Sequence, residues 1–214
     1  MEKADTGDIL LFKASNPMAG AVRMITSSGF DHVAMVLRFE SDLDEIYFIE
    51  ASGNNGVALN NWSFIRQHVG PNKFYKHICF RHVDFDRDGE MVNNLEKFLK
   101  QAIGKKYGLG VKKMLRRETQ CVKQKASNDG SSADNDIISD DRTFFCSELV
   151  AKACKVLGIL ENDKTSTTKF LPKHFSSKSD KFLQLTPDTY MDQELKIILD
   201  ENKDKASNAL LDAY

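Results

Sequence analysis

Two short apolar segments separated by a polar turn constrain the fold of this chain most. His32–Leu37 and Glu45–Ala51 are mostly apolar, and Glu40-Ser41-Asp42 lies between them. Such segments are typical of strands, and a short polar connection predicts an antiparallel hairpin. Ile9–Phe12, directly after Gly7-Asp8, predicts another buried strand. Lys76–Phe85 alternates in character and predicts a further strand.

Other segments have the helical period. Asn16-Pro17 is a typical helix start, and the residues that mark one face of the following helix are Met18, Ala21, Val22 and Ile25. A second amphipathic helix is predicted from Asp88 to Gly104, and a third begins at Cys146 and ends near Gly158. Trp62–Gln67 and Tyr190–Leu199 are predicted to be shorter helices. Strands and helices together predict an α+β fold.

Length and composition indicate one domain. The chain has 214 residues, of which 41% are hydrophobic, enough for one core. The basic stretch 112–125 and the polar, acidic stretch 128–141 have too little apolar surface to fold alone. We therefore predict a single domain over residues 1–200, with a flexible insertion at about 112–142 and a polar tail at 201–214. Both are candidate binding segments for a protein partner.

Charge and cysteine content narrow the class of protein. The 30 basic and 31 acidic residues nearly cancel, which argues against a nucleic-acid partner. The chain lacks both a run of about eighteen apolar residues, as a transmembrane helix needs, and the pattern of a signal peptide. Its four cysteines have no metal-ligand spacing. A cytoplasmic protein with neither transmembrane segment, metal nor cofactor is expected.

Cys146 is the residue with the clearest chemical potential. It precedes the amphipathic run that starts at Leu149, so it lies in the first turn of the predicted helix. Unpaired backbone N–H groups and the positive end of the helix dipole favour a thiolate there. A thiolate is the nucleophilic form of cysteine, so a nearby histidine would make this a catalytic centre.

His32 and Glu50 are the predicted partners of Cys146. In a hairpin centred near residue 41 or 42, Glu50 lies opposite or diagonal to His32. Glu50 ends an apolar strand, where an unpaired carboxylate is costly to bury. A carboxylate that orients the imidazole leaves its other nitrogen free to deprotonate the thiol. The predicted catalytic residues are Cys146, His32 and Glu50.

Other histidines and cysteines are weaker candidates. His77 and His82 lie on a strand without an acidic residue at hairpin range, and His174 lies in a loop-like segment. Cys154 has the character of a packing residue inside the helix, and Cys79 that of a strand residue. Cys121 lies in the polar insertion without a nearby base.

Four motifs together resemble a known family. They are Thr6–Phe12, Phe30–Leu37, Ile49-Glu50-Ala51 and Phe145–Val150, with Gly104–Tyr107 and Thr186-Pro187-Asp188 as shorter matches. In this combination the chain resembles the permuted papain-like (NlpC-type) cysteine hydrolases, specifically the YiiX/YebB-like group. The resemblance implies Cys146 as nucleophile, His32 as base and Glu50 as the residue that orients it. It also implies an α+β fold with a small antiparallel sheet or partial barrel packed on the helix that carries the cysteine.

Two classes of function follow. The first is a thiol hydrolase of the amidase, peptidase or thioesterase type; the resemblance implies peptide-like, lipid-amide or acyl substrates. The second is a catalytically silent module of the same fold that serves as a structural or interaction component of a larger assembly. The polar insertion and tail favour the second class, and the three converging residues favour the first.

Overall fold

A six-stranded antiparallel sheet is the centre of the molecule, which we describe from a computed structural model over residues 3–108, 143–163 and 165–199. The strands are β1 (Ile9–Ala14), β2 (His32–Phe39), β3 (Asp42–Ser52), β4 (Gly56–Asn61), β5 (Tyr75–Arg81), β6 (Val83–Asp84), β7 (Lys106–Tyr107), β8 (Thr143–Phe144), β9 (Tyr190–Met191) and β10 (Leu195–Lys196). The large sheet has the order β10-β5-β1-β2-β3-β4. The predicted hairpin is therefore present as β2 and β3.

Helices cover both faces of this sheet. In the described ranges they are α1 (Pro17–Thr26), α2 (Trp62–Ile65), α3 (Gly89–Ala102) and α4 (Cys146–Val156), with short 3-10 segments at Arg66–His68, Thr167–Lys169, Pro172–Phe175 and Asp180–Phe182. One apolar cluster joins α3 and α4 to the sheet, and a second joins α1 and α2 to the opposite face. Since both faces are covered, the central strands are apolar throughout, and this explains the uninterrupted run Val33–Leu37. The architecture is α+β.

Two motifs fix the first strand in place. Gly7 has a positive φ of 100°, and a Cβ atom there would lie 2.7 Å from Cε1 of Phe85. Asp8 is fully buried and accepts hydrogen bonds from the backbone N–H groups of Asp5 and Val83. The Gly7-Asp8 pair, which contributed to the family resemblance, therefore has a structural role in this chain.

A buried arginine joins the last described segment to the sheet. The Arg81 side chain is 1% exposed and donates hydrogen bonds to backbone carbonyl groups of Phe175, Met191 and Asp192. Three carbonyl oxygens thus solvate a cation that water cannot reach. This places the segment after residue 190 beside β5 and β6.

The predicted helix over Tyr190–Leu199 is wrong. This segment forms β9, which pairs with β6, and β10, which pairs with β5. Its partners are more than a hundred residues earlier in the chain, so pairing across the fold overrides the local pattern. Lys76–Phe85 is also divided, into β5 and β6.

The apolar face predicted for α1 is not the buried one. Ala19 and Thr26 are its buried residues, whereas Met18 is 66% exposed and Ile25 is 37% exposed. The predicted start is correct, because the side chain of Asn16 accepts a hydrogen bond from the N–H of Ala19.

The predicted insertion at 112–142 and the tail at 201–214 lie outside the described residues. In the ranges that are described, the helices are too short or too polar to cross a bilayer.

Candidate active site

Cys146 is the first residue of α4, as the sequence pattern predicts. The helix start is held by the Glu148 carboxylate, which accepts from the N–H of Phe145, and by the Ser147 hydroxyl, which donates to the carbonyl of Phe170 at 2.7 Å. The first N–H groups of a helix have no acceptor within it. The sulfur therefore lies at a fixed position beside backbone donors, and Cys146 itself is only 3% exposed.

The hairpin brings His32 and Glu50 into contact. The register pairs Met35 with Ile49, which sets Glu50 diagonal to His32 on the same face. The Nε2 atom of His32 lies 2.5 Å from Oε2 of Glu50, and both side chains are mostly buried. The Phe12 ring packs against the imidazole with centroids 5.2 Å apart.

The imidazole also interacts with the thiol of Cys146. Burial is the largest single effect on the pKa of His32 and lowers it. The charges of Glu50 and Cys146, together with a side-chain hydrogen bond to each, outweigh burial and raise this pKa well above its usual range. Because Nε2 faces Glu50, Nδ1 is the nitrogen left for the sulfur. The three side chains thus converge in the order thiol, imidazole, carboxylate.

Asn60 is a site residue that the sequence reasoning missed. It lies on β4, opposite Phe48 and diagonal to Glu50, and its Nδ2 donates to Oε1 of Glu50 at 2.9 Å. The Asn55-Gly56 step was the available signal, because Asn-Gly is a typical hairpin turn after an apolar strand. With β4 recognised, Asn60 would have been assigned to the face of Glu50.

Tyr75 is a second missed neighbour. Its ring packs against Phe12, with centroids 5.0 Å apart, in the apolar cluster on the face of the sheet opposite α4. Burial, followed by the charges of Glu50, Asp31 and Cys146, raises the pKa of Tyr75 above its usual range. A neutral phenol therefore lies beside the charged groups of the site. No sequence pattern indicated this, because Tyr75 is far from all of them along the chain.

The other histidines have different environments. His82 has an acidic partner from a distant part of the chain, because its Nδ1 lies 2.9 Å from Oδ1 of Asp8; the prediction considered only acidic residues at hairpin range. His174 is in a 3-10 helix and not in an irregular loop; its ring stacks on Phe182 at 3.9 Å and accepts a hydrogen bond from the N–H of Leu171. His77 packs edge-on against Phe30.

The other described cysteines are structural. Cys79 and Cys154 are buried, and burial raises the pKa of each thiol, which favours the unreactive form. Cys79, Cys146 and Cys154 are all free thiols. Cys121 lies outside the described residues. In the part of the chain that the structure covers, no three His, Cys, Asp or Glu side chains are grouped to hold a metal ion.

Comparison with solved structures gives a distant likeness. No protein-family model matches the chain, and no curated protein matches it. Among solved structures, the metalloprotein YiiX from Escherichia coli O157:H7 is similar at 18% sequence identity with a TM-score of 0.48. The match covers 92% of this chain and 98% of the other. At this level of similarity no activity is transferred from that protein to this chain.

Proposed function

We propose that this protein is a cysteine-dependent hydrolase with a permuted papain-like fold, acting through an acyl-enzyme on Cys146. The observation that supports the proposal is the position of His32, which interacts with Glu50 on one side and with Cys146 on the other. A nucleophile next to a base, with the base held by a third group, is the arrangement that covalent acyl transfer requires.

The roles follow from the atoms. The sulfur of Cys146 attacks the substrate carbonyl, and its proton passes to His32. Glu50 stabilises the imidazolium, which then gives the proton to the leaving group. Water, activated by the same imidazole, hydrolyses the acyl-enzyme. The N–H of Cys146, at the helix start, is placed to donate to the oxyanion. Amides, peptides and thioesters all fit this chemistry.

Residue-specific alkylation tests the proposal. Iodoacetamide should label Cys146 about tenfold or more faster than Cys79 and Cys154, since burial favours their protonated forms. Mass spectrometry of tryptic peptides gives the rate at each cysteine. His32→Asn should slow labelling of Cys146 by about tenfold or more, because the imidazole no longer stabilises the thiolate. Equal rates at the three cysteines, or no effect of His32→Asn, would contradict the proposal.

The burial of Cys146 favours a second candidate function. At 3% exposure the residue is part of the apolar cluster under the sheet, so a substrate must displace neighbouring groups to reach the sulfur. A catalytically silent module in a larger assembly would have this property. It predicts that Cys146 reacts with iodoacetamide only after unfolding in urea, whereas the hydrolase predicts reaction in the native protein.

A further inference from the structure

A small cavity lies at the edge of the sheet where β5 and β10 pair. Its volume is about 200 Å³, and its lining includes the turn 69–73, the start of β5 and the segment after β10. Ligand pockets for whole drug-sized molecules are commonly about 300–1,000 Å³. A cavity of this size fits one compact chemical group.

The walls of the cavity are held by backbone hydrogen bonds. The N–H of Gly70 donates to the carbonyl of Tyr75 at 2.9 Å, and the N–H of Lys73 donates back to Gly70 at 3.2 Å. Across the cavity, the N–H of Ile197 donates to the carbonyl of Ile78 at 2.9 Å. The cavity is thus formed by paired backbone and not by loose side chains.

Positive charge is concentrated at this cavity. Lys73, Lys76 and Lys196 line it, and none of the described lining residues is acidic. Lys13 pairs with His77 across β1 and β5 and adds a fourth cation next to the lining. Within the described ranges these four lysines have no carboxylate within 4 Å, although the whole chain has a net charge of −1. The excess is therefore local.

The pKa of the His77 imidazole is affected by the same positive charges. Burial is the largest cause that lowers its pKa; the charges of Lys196, Lys13 and Arg23 lower it further, and the charge of Asp31 acts in the opposite direction. A neutral histidine beside these cations offers a hydrogen-bond donor and does not repel an anion. It therefore complements the lysines that line the cavity.

One side of the cavity is apolar. Val69, Ile197, Ile198 and Leu199 line this side, and Ile198 is 88% exposed. Apolar side chains beside clustered lysines match a ligand that carries an anionic group next to a hydrocarbon part. A purely ionic ligand would leave this side without a partner.

We propose that the cavity binds a small amphiphilic anion, namely a phosphomonoester that carries a short apolar group. Lys73, Lys76 and Lys196 contact the phosphate, and the apolar side contacts the hydrocarbon. Lysine is a common phosphate ligand that acts as a point charge, which suits a cavity with several ammonium groups and no fork geometry. This site is separate from Cys146 and does not depend on the proposed hydrolase activity.

Calorimetric titration of the full chain with n-hexyl phosphate, inorganic phosphate and n-hexanol tests the proposal. Hexyl phosphate should bind more tightly than either of the other two, and added salt should weaken its binding. Equal affinity for hexyl phosphate and inorganic phosphate would overturn the apolar contact. Binding of hexanol as tight as that of hexyl phosphate would overturn the ionic contact.

Matched variants localise the binding. The double variant Lys76→Gln/Lys196→Gln should bind hexyl phosphate about tenfold or more weakly, because each lost charge-assisted contact reduces affinity. Ile198→Asn should weaken hexyl phosphate and leave inorganic phosphate unchanged. Lys100→Gln is the control, since Lys100 pairs with Glu96 on α3. These exposed positions can be changed without loss of the fold, which circular dichroism checks. An unchanged affinity in the double variant would reject the site.

Discussion

At the scale of single residues, the candidate site is a chain of contacts that extends beyond three members. Asn60 donates to Glu50, Glu50 contacts His32, and His32 interacts with Cys146. Each contact restricts the next, because a carboxylate held on one oxygen keeps its other oxygen directed at the imidazole. Asn60 lies on β4 and Glu50 on β3, so the hairpin β3–β4 contributes to the orientation of the imidazole.

We expect Asn60→Ala to reduce the alkylation rate of Cys146 by about tenfold, since a lost hydrogen bond to a charged group costs about 1.5–3 kcal/mol. The rate is measured as above with iodoacetamide. Leu59→Ala is the control, because Leu59 is the preceding residue of β4 and its side chain is on the other face. A similar reduction in both variants would indicate a general disturbance of β4 instead of a positioning role.

Glu50→Gln should lower the pKa of His32. The Glu50 charge is the largest effect that raises this pKa, and burial, which lowers it, remains in the variant. The imidazolium is therefore lost at lower pH than in the wild type. NMR titration of the His32 ring measures the change, and labelling of Cys146 should need a higher pH in the variant. An unchanged titration of His32 would show that Glu50 does not control its charge.

At the scale of elements, side-chain caps set the starts of α1, α2 and α3. Asp88 accepts a hydrogen bond from the N–H of Met91 at 2.7 Å and starts α3. Asn16 and Asn61 do the same for α1 and α2. In α4 the corresponding position is Phe145, whose side chain cannot accept, and Glu148 holds the backbone instead.

Asp88→Ala should lower the free energy of unfolding by about 1 kcal/mol, which is typical for the loss of an aspartate cap. Urea denaturation followed by circular dichroism measures this change. Asp86→Ala is a matched control, because Asp86 is also exposed and carries the same charge but does not cap the helix. Equal losses in the two variants would assign the effect to charge and not to the cap.

Elements with a strong local pattern could be predicted from the sequence, and elements formed by distant pairing could not. The hairpin β2–β3, α3 and α4 follow from apolar periodicity, and α3 also from its cap at Asp88. Strands β9 and β10 have two residues each and exist because β5 and β6 offer free edges. For the site, the contact of His32 with Glu50 follows from hairpin register, whereas Asn60 depends on a strand that the pattern did not reveal.

At the scale of the whole molecule, buried ionisable groups tie stability to pH. His174 is 6% exposed, and burial, followed by the charge of Lys173, lowers its pKa to about 4. The folded protein thus resists protonation of this ring, whereas the unfolded chain takes up the proton near its ordinary value of about 6.5. Its contribution to stability is present above that value and is lost as the pH falls towards 4.

We expect the wild type to lose roughly 3 kcal/mol more than His174→Asn between pH 7 and pH 4, because the variant lacks this titration. Asparagine retains an acceptor for the N–H of Leu171. Urea denaturation at intervals of pH measures both proteins. A parallel pH dependence for wild type and His174→Asn would show that the ring protonates freely in the folded state.

The buried guanidinium group of Arg81 has a practical consequence for the design of truncated variants. A version that stops ahead of Met191 deletes the carbonyl groups of Met191 and Asp192, which accept hydrogen bonds from a buried and permanently charged side chain. Such a trimmed chain should accumulate as aggregate during expression. Versions designed for crystallisation therefore need to extend past Asp192, however dispensable that stretch looks on composition alone.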